Sequence, residues 1–109
     1  MLITTTNHVA GHEITETIGL VRGSSIRSRN VLQDITEWFR NLVGSELSDY
    51  TKMMAETREQ ALDRMQDQAR AFQADAVLSL RFEATSIARG AAELVAYGTA
   101  VRLRQIEDA

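Results

Sequence analysis

The stretch that decides the reading of this chain is Ala92-Glu93-Leu94-Val95-Ala96-Tyr97-Gly98-Thr99-Ala100-Val101-Arg102-Leu103-Arg104. Successive side chains of an extended strand point to opposite faces. One face therefore carries Val95, Tyr97, Val101 and Leu103, and the other carries Leu94, Ala96, Gly98 and Ala100. Both are largely apolar, and the second is made mostly of small residues. A strand that is apolar on both sides has to be covered on both sides. A long helix can cover one. For the other, a second copy of the chain is the natural candidate, with the small residues admitting its close approach; the alternative is a short helix of the same chain. Leu94, Ala96, Gly98 and Ala100 are accordingly the candidate interface residues.

Working outward, Ala76–Ser86 alternates Leu78, Leu80, Phe82 and Ala84 with Ser79, Arg81, Glu83 and Thr85. With Gly90 as the turn residue, this predicts a hairpin with the last strand. Upstream, Leu47, Tyr50, Met54, Arg58, Ala61, Met65, Ala69 and Phe72 recur at a mean step near 3.6, which predicts a long helix capped by Ser45 and running to about Phe72. A shorter helix is predicted from Val31 to Val43. Asn30 and Gln33 form its capping box, Leu32, Ile35, Phe39 and Leu42 its apolar stripe, and Gly44 its stop. Trp38, about 100° round that helix from Phe39, joins the interface candidates because aromatic residues are enriched at interfaces.

Before these helices, His12–Ser28 alternates Ile14, Ile18 and Leu20 with polar residues and predicts a long strand; Leu2–Thr5 predicts a short one, with a turn over Asn7–Gly11 between. Gly19 and Gly23 mark a bulge, or a place where a ligand or a neighbouring subunit lies against bare backbone. The sum is an α+β protein of one domain.

Composition narrows the function classes. At 109 residues, with 44% hydrophobic and 25% charged, the chain can build a modest core and is unlike a disordered segment. It has no cysteine, which removes disulfides, thiolate metal sites and cysteine nucleophiles. Its net charge of −3 lacks the positive excess of a non-specific nucleic-acid binder. There is no secretory signal and no run of the ~20 apolar residues that a membrane span needs. A cytoplasmic protein without nucleic-acid or membrane partners is the expectation.

The motifs of common chemistry are also missing: no G-x-G-x-x-G, P-loop, H-E-x-x-H or G-x-S-x-G, hence no catalytic residues and no cofactor to assign. His8 and His12 are the only histidines; four apart, they are weak metal candidates with Glu13 and Glu16 as the nearest carboxylates. Glu56, Glu59, Asp63 and Asp67 form an acidic row on the long helix, read as a hydrated outer face or as a seam to arginines of another subunit. Arg102 and Arg104 are anion candidates, joined by Arg22, Arg27 and Arg29 if their strands are neighbours; the plainer reading pairs them with the acidic helix row. Asp75 reads as a turn carboxylate accepting from nearby backbone N–H groups.

Taken in order, Thr4-Thr5, Gly19-Leu20-Val21-Arg22-Gly23, Asn30-Val31, Val43-Gly44, Tyr50, Ala74-Asp75-Ala76-Val77 and Gly98-Thr99-Ala100-Val101 resemble the YbjQ family over nearly the full chain. These are small uncharacterised bacterial proteins often labelled heavy-metal-binding. The resemblance implies a dodecin-like subunit, with an antiparallel sheet of about three to four strands on one long and one shorter helix. It also implies a ring, commonly a pentamer, and no established enzymatic activity. The chain departs from the pattern at Gln73 and Ser45, where the family often has glycine. Soft metals favour the thiolates this chain lacks. The reading is thus a non-enzymatic homo-oligomer that binds a small molecule or serves as a scaffold. A metal-binding protein comes second, and an enzyme with a site shared between subunits third.

Overall fold

The computed structural model describes residues 1–28, 46–88 and 91–107. Among them are β1 (Leu2–Ile3), β2 (His12–Ser28), α1 (Glu46–Ala71), β3 (Ala76–Ala88) and β4 (Ala91–Gln105). The predicted helix at Val31–Val43, with Trp38, and the predicted turn at Gly90 lie outside the described residues.

The strands form one sheet in the order β1-β3-β4-β2. The β3–β4 hairpin and the β2–β4 pair are antiparallel, as alternation predicts. The sheet is mixed, however, where a purely antiparallel one is expected. β1 runs parallel to β3, with Leu2 opposite Ala76 and Ile3 opposite Val77. The reason is the route of the chain: β2 and α1 intervene before β3, so its first residues can lie alongside the N-terminal segment in the same direction. That segment continues the pairing beyond β1, with Ser79 N–H donating to the Thr6 carbonyl and Leu80 N–H to that of Thr4.

Helix α1, 26 residues and about 39 Å long, lies mainly over β2, less over β4, and barely reaches β3. Its buried row is Thr57, Ala61, Met65 and Ala69. Strict i, i+4 spacing makes this an inclined ridge. Arg58, placed on the stripe by periodicity, is exposed, as are Met54 and Phe72 towards the ends. The ridge sets into a bed of Val21, Ala96 and Ala100, all fully buried. Burial of a side chain such as Met65 or Val21 contributes about 1.5–3 kcal/mol.

This packing corrects the interface reading. Ala96, Gly98 and Ala100 are buried within the chain itself, and Leu94 is half-buried. The smallness of Ala96 and Ala100 admits the chain's own helix, and that of Gly98 admits the Val77 side chain and Leu78 carbonyl of β3.

Helix α1 ends in a Schellman motif. Gln73 takes the left-handed conformation (φ 60), Ala74 N–H donates to the Ala69 carbonyl at 3.1 Å and Gln73 N–H to that of Arg70 at 2.9 Å. A second irregularity crosses the sheet on adjacent rungs. β2 has a register shift between Thr17 and Gly19 (φ 135), and β3 has one between Leu78 and Arg81, with Ser79 at φ 55. Such bulges bend and twist a ribbon. Beyond this crease the three strands continue as an arm, and the molecule measures 63 × 29 × 18 Å.

Candidate interaction surface

The described residues cover only part of the face of the sheet away from α1. Near the N-terminus, Val9 and Leu103 close over Ala76, Leu78 and Val101. Further along, cross-strand register places Leu20 beside Thr99, Arg22 beside Tyr97, Ser24 beside Val95 and Ile26 beside Glu93. Leu20 is 67% exposed and Ile26 53%. On the helix side, Phe82 stands opposite Ala96 but lies lateral to α1 and is 38% exposed. Among the described residues, the arm thus carries exposed apolar side chains on both faces, while Leu2, Ile14, Phe72 and Ile106 are exposed elsewhere.

A polar seam runs beside the buried ridge. Gln60, Arg64 and Gln68, one residue before Ala61, Met65 and Ala69, reach the edge strand β2. The Ser25 hydroxyl donates to Gln60 Oε1 at 2.6 Å, Arg64 donates to the Ser24 carbonyl, and Arg22 N–H donates to Gln68 Oε1 at 2.7 Å. Ser25 is fully buried, so its hydroxyl needs this partner. A shallow polar cleft of ≈ 330 Å³ opens alongside, lined by Arg22, Gly23, Ser24, Gln68, Glu93 and Val95. Periodicity analysis missed this seam because it follows apolar residues. Long polar side chains at i, i+4 and i+8, flanking a stripe of small residues, were the available signal.

The other predicted sites are not brought together. His8 Nδ1 lies 3.0 Å from Asn7 Oδ1, and His12 Nδ1 3.0 Å from the Ala10 carbonyl, both exposed. Among the described residues no three His, Cys, Asp or Glu side chains are grouped as metal ligands. Glu56, Glu59, Asp63 and Asp67 are all exposed, and Asp67 has an ion pair with Arg70 at 3.4 Å.

Arg102 and Arg104 are paired, but with β2 and not with the acidic helix row. Arg102 Nε is 3.3 Å from Glu16 Oε2, within ion-pair range though not aligned as a hydrogen bond, and Arg104 contacts Glu13. Register makes both pairs direct cross-strand neighbours. It also separates the arginines expected to gather. β2 and β4 are adjacent but antiparallel, so Arg22 and Arg27, opposite Tyr97 and Ala92, lie at the far end from Arg104. Arg29 is outside the described residues. Asp75 bonds backbone, though not locally: its Oδ2 accepts from Leu103 N–H at 2.9 Å and its own N–H donates to the Val101 carbonyl at 2.9 Å.

Comparison with known proteins places this arrangement. A family model described as "Putative heavy-metal-binding" matches residues 1–104. A "UPF0145 protein" of Halorubrum lacusprofundi is 53% identical over 95% of this chain and 100% of its own length. Another, of Fervidobacterium nodosum, is 45% identical over 99% of this chain and 100% of its own. The relatives thus come from archaea as well as bacteria, wider than the bacterial set the resemblance implied. A crystal structure of a protein of unknown function from Pediococcus pentosaceus, of the DUF74 family, superimposes with a TM-score of 0.62 at 18% identity, covering 95% of this chain and 98% of that one. At that identity the likeness speaks for the fold alone.

Proposed function

The chain belongs to the YbjQ family, and we propose that its working unit is a closed ring of identical copies, a pentamer of dodecin-like subunits, with a binding or scaffold role and no chemistry of its own. The observation that carries this reading is the arm. It exposes Leu20 and Ile26 on one face and Phe82 on the other, with no further layer among the described residues to cover them. Apolar side chains left exposed on both faces of one ribbon support an association site there. Contacts between unlike patches of identical chains close into rings when the rotation allows. A small ligand would then sit between subunits, where the cleft at Arg22, Ser24 and Glu93 offers polar groups of both signs. The reading places this unit in the cytoplasm, consistent with the lack of cysteine. Light scattering of the purified protein tests it. The expected mass is about five times 12.2 kDa, and a monomer at micromolar concentration rejects it.

The family description favours one further reading, a heavy-metal-binding protein. His8 and His12 have their Nδ1 atoms engaged, and among the described residues no three His, Asp or Glu side chains are grouped. Calorimetric titration with zinc, copper and cadmium separates the readings: saturable heat at a fixed metal-to-subunit ratio supports the metal site, and heat equal to the buffer blank removes it for these ions.

A further inference from the structure

We propose that the cleft beside β2 binds a small zwitterion, its carboxylate held by Arg22 and its ammonium by Glu93; this rests on the ligand-binding part of the reading above and needs the residues of only one chain. The β2–β4 ladder makes ion pairs by direct opposition at one end, where Glu16 faces Arg102 and Glu13 faces Arg104. Towards the other end the same ladder holds Arg22 and Glu93 apart. Arg22 stands opposite Tyr97 and Glu93 opposite Ile26, with the Ser24–Val95 rung between them. Alternate residues of a strand and their cross-strand partners share a face, so Arg22, Ser24, Val95 and Glu93 lie on one surface. The two charged rungs are four residues of strand apart, about 13 Å. Among the described residues neither the Arg22 guanidinium nor the Glu93 carboxylate has an ion-pair partner.

The cleft of ≈ 330 Å³ occupies the gap between them. That volume is at the low end for small-molecule pockets and suits a ligand of few atoms. At the Arg22 end Gln68 adds a second donor: its Oε1 is taken by Arg22 N–H, which leaves the NH₂ of the same amide to donate. A carboxylate placed there gains charge-assisted hydrogen bonds from the guanidinium fork. On the middle rung the Ser24 carbonyl is taken by Arg64, and Val95 offers an apolar contact for a short aliphatic chain. At the far end the half-buried Glu93 carboxylate is an acceptor for an ammonium and repels a second carboxylate. A ligand with one charge leaves one of the two protein groups unpaired. A molecule with a carboxylate and an ammonium joined by a few methylenes pairs both.

Calorimetric titration with glycine, 4-aminobutanoate and 6-aminohexanoate, which space the two charges progressively, tests this, with propionate and butylamine as single-charge controls. At least one zwitterion should bind saturably below about 10 mM, and about tenfold or more tighter than either control. Arg22→Gln and Glu93→Gln should each weaken that binding about tenfold or more, while both variants keep the wild-type Tm. The inference is overturned if no zwitterion binds, if a control binds comparably, or if either variant loses less. Should a variant fail to fold, NMR titration of the wild type decides: shifts centred on Arg22 Nε–H and the Ser24 and Glu93 amides support the site, and shifts centred elsewhere refute it. Light scattering of the same samples separates the two readings. An assembled protein without binding overturns this inference and leaves the oligomer standing, binding by a monomer overturns the ring alone, and a monomer without binding overturns both.

Discussion

A Cβ placed on Gly23 would lie 2.2 Å from the backbone nitrogen of Met65 and 2.4 Å from the carbonyl oxygen of Ala61. The obstacle is helix backbone, which cannot move aside as a side-chain tip would. Gly23→Ala must lift α1 off β2, opening the Ser25–Gln60 and Arg22–Gln68 bonds with it. We expect a loss of about 3 kcal/mol or more in urea denaturation, at the upper end of overpacking effects. Gly19→Ala is the comparison. It meets nothing within 4 Å but has φ +135, so only backbone strain of about 1–3 kcal/mol opposes it. Equal losses at the two positions would refute the close-approach account.

The helix terminus offers a gain. Gln73 holds a left-handed conformation that costs an L-residue roughly 1–2 kcal/mol and glycine almost nothing. Part of that gain is cancelled by glycine's larger unfolded-state entropy. Gln73→Gly should therefore stabilise by about 0.5–1 kcal/mol, read as a rise of a few degrees in Tm at matched protein concentration. A fall in Tm would mean that the Gln73 side chain contributes more than its backbone costs.

These two positions also show what the sequence discloses. Strand alternation and helix periodicity place β2, α1, β3 and β4 to within a few residues, because burying one face imposes a period on the residues. Gln73, as a departure from a glycine pattern, already marks the unusual turn. The covering of each face is not legible in the same way. Ala96, Gly98 and Ala100 announce close approach, but smallness does not say of what: the helix of the same chain fills the space at Ala96 and Ala100, and strand β3 fills it at Gly98. The arginine grouping failed on register: Arg22 and Arg104 are in adjacent strands, yet antiparallel pairing sends them to opposite ends. The Gln60–Arg64–Gln68 seam escaped because polar residues on a helix flank read as solvated until an edge strand is found beside them.

Asp75 joins the end of α1 to the end of the sheet by accepting from Leu103 N–H. Hydrogen bonds to charged groups contribute about 1.5–3 kcal/mol, and the exposure of this carboxylate places it at the low end. Asp75→Ala should cost about 1–2 kcal/mol and speed amide exchange at Leu103 while leaving Val21 unchanged. Uniform acceleration across the chain would instead indicate a global role.

Arg102 and Arg104 distinguish a rim of ion pairs from an anion site. Each faces a glutamate in register on β2. Exposed pairs of this kind contribute about 0–1 kcal/mol and weaken with salt. Arg102→Gln with Arg104→Gln should therefore lower stability by about 1 kcal/mol or less at low ionic strength, with the difference shrinking at 1 M salt. Arg102 carries slightly more of this, since its guanidinium also reaches the Phe72 carbonyl at 3.5 Å. With both guanidiniums already neutralised, phosphate and nucleotides should bind the wild type and the double variant equally weakly. Saturable phosphate binding that disappears in the double variant would return these residues to the role of an anion site.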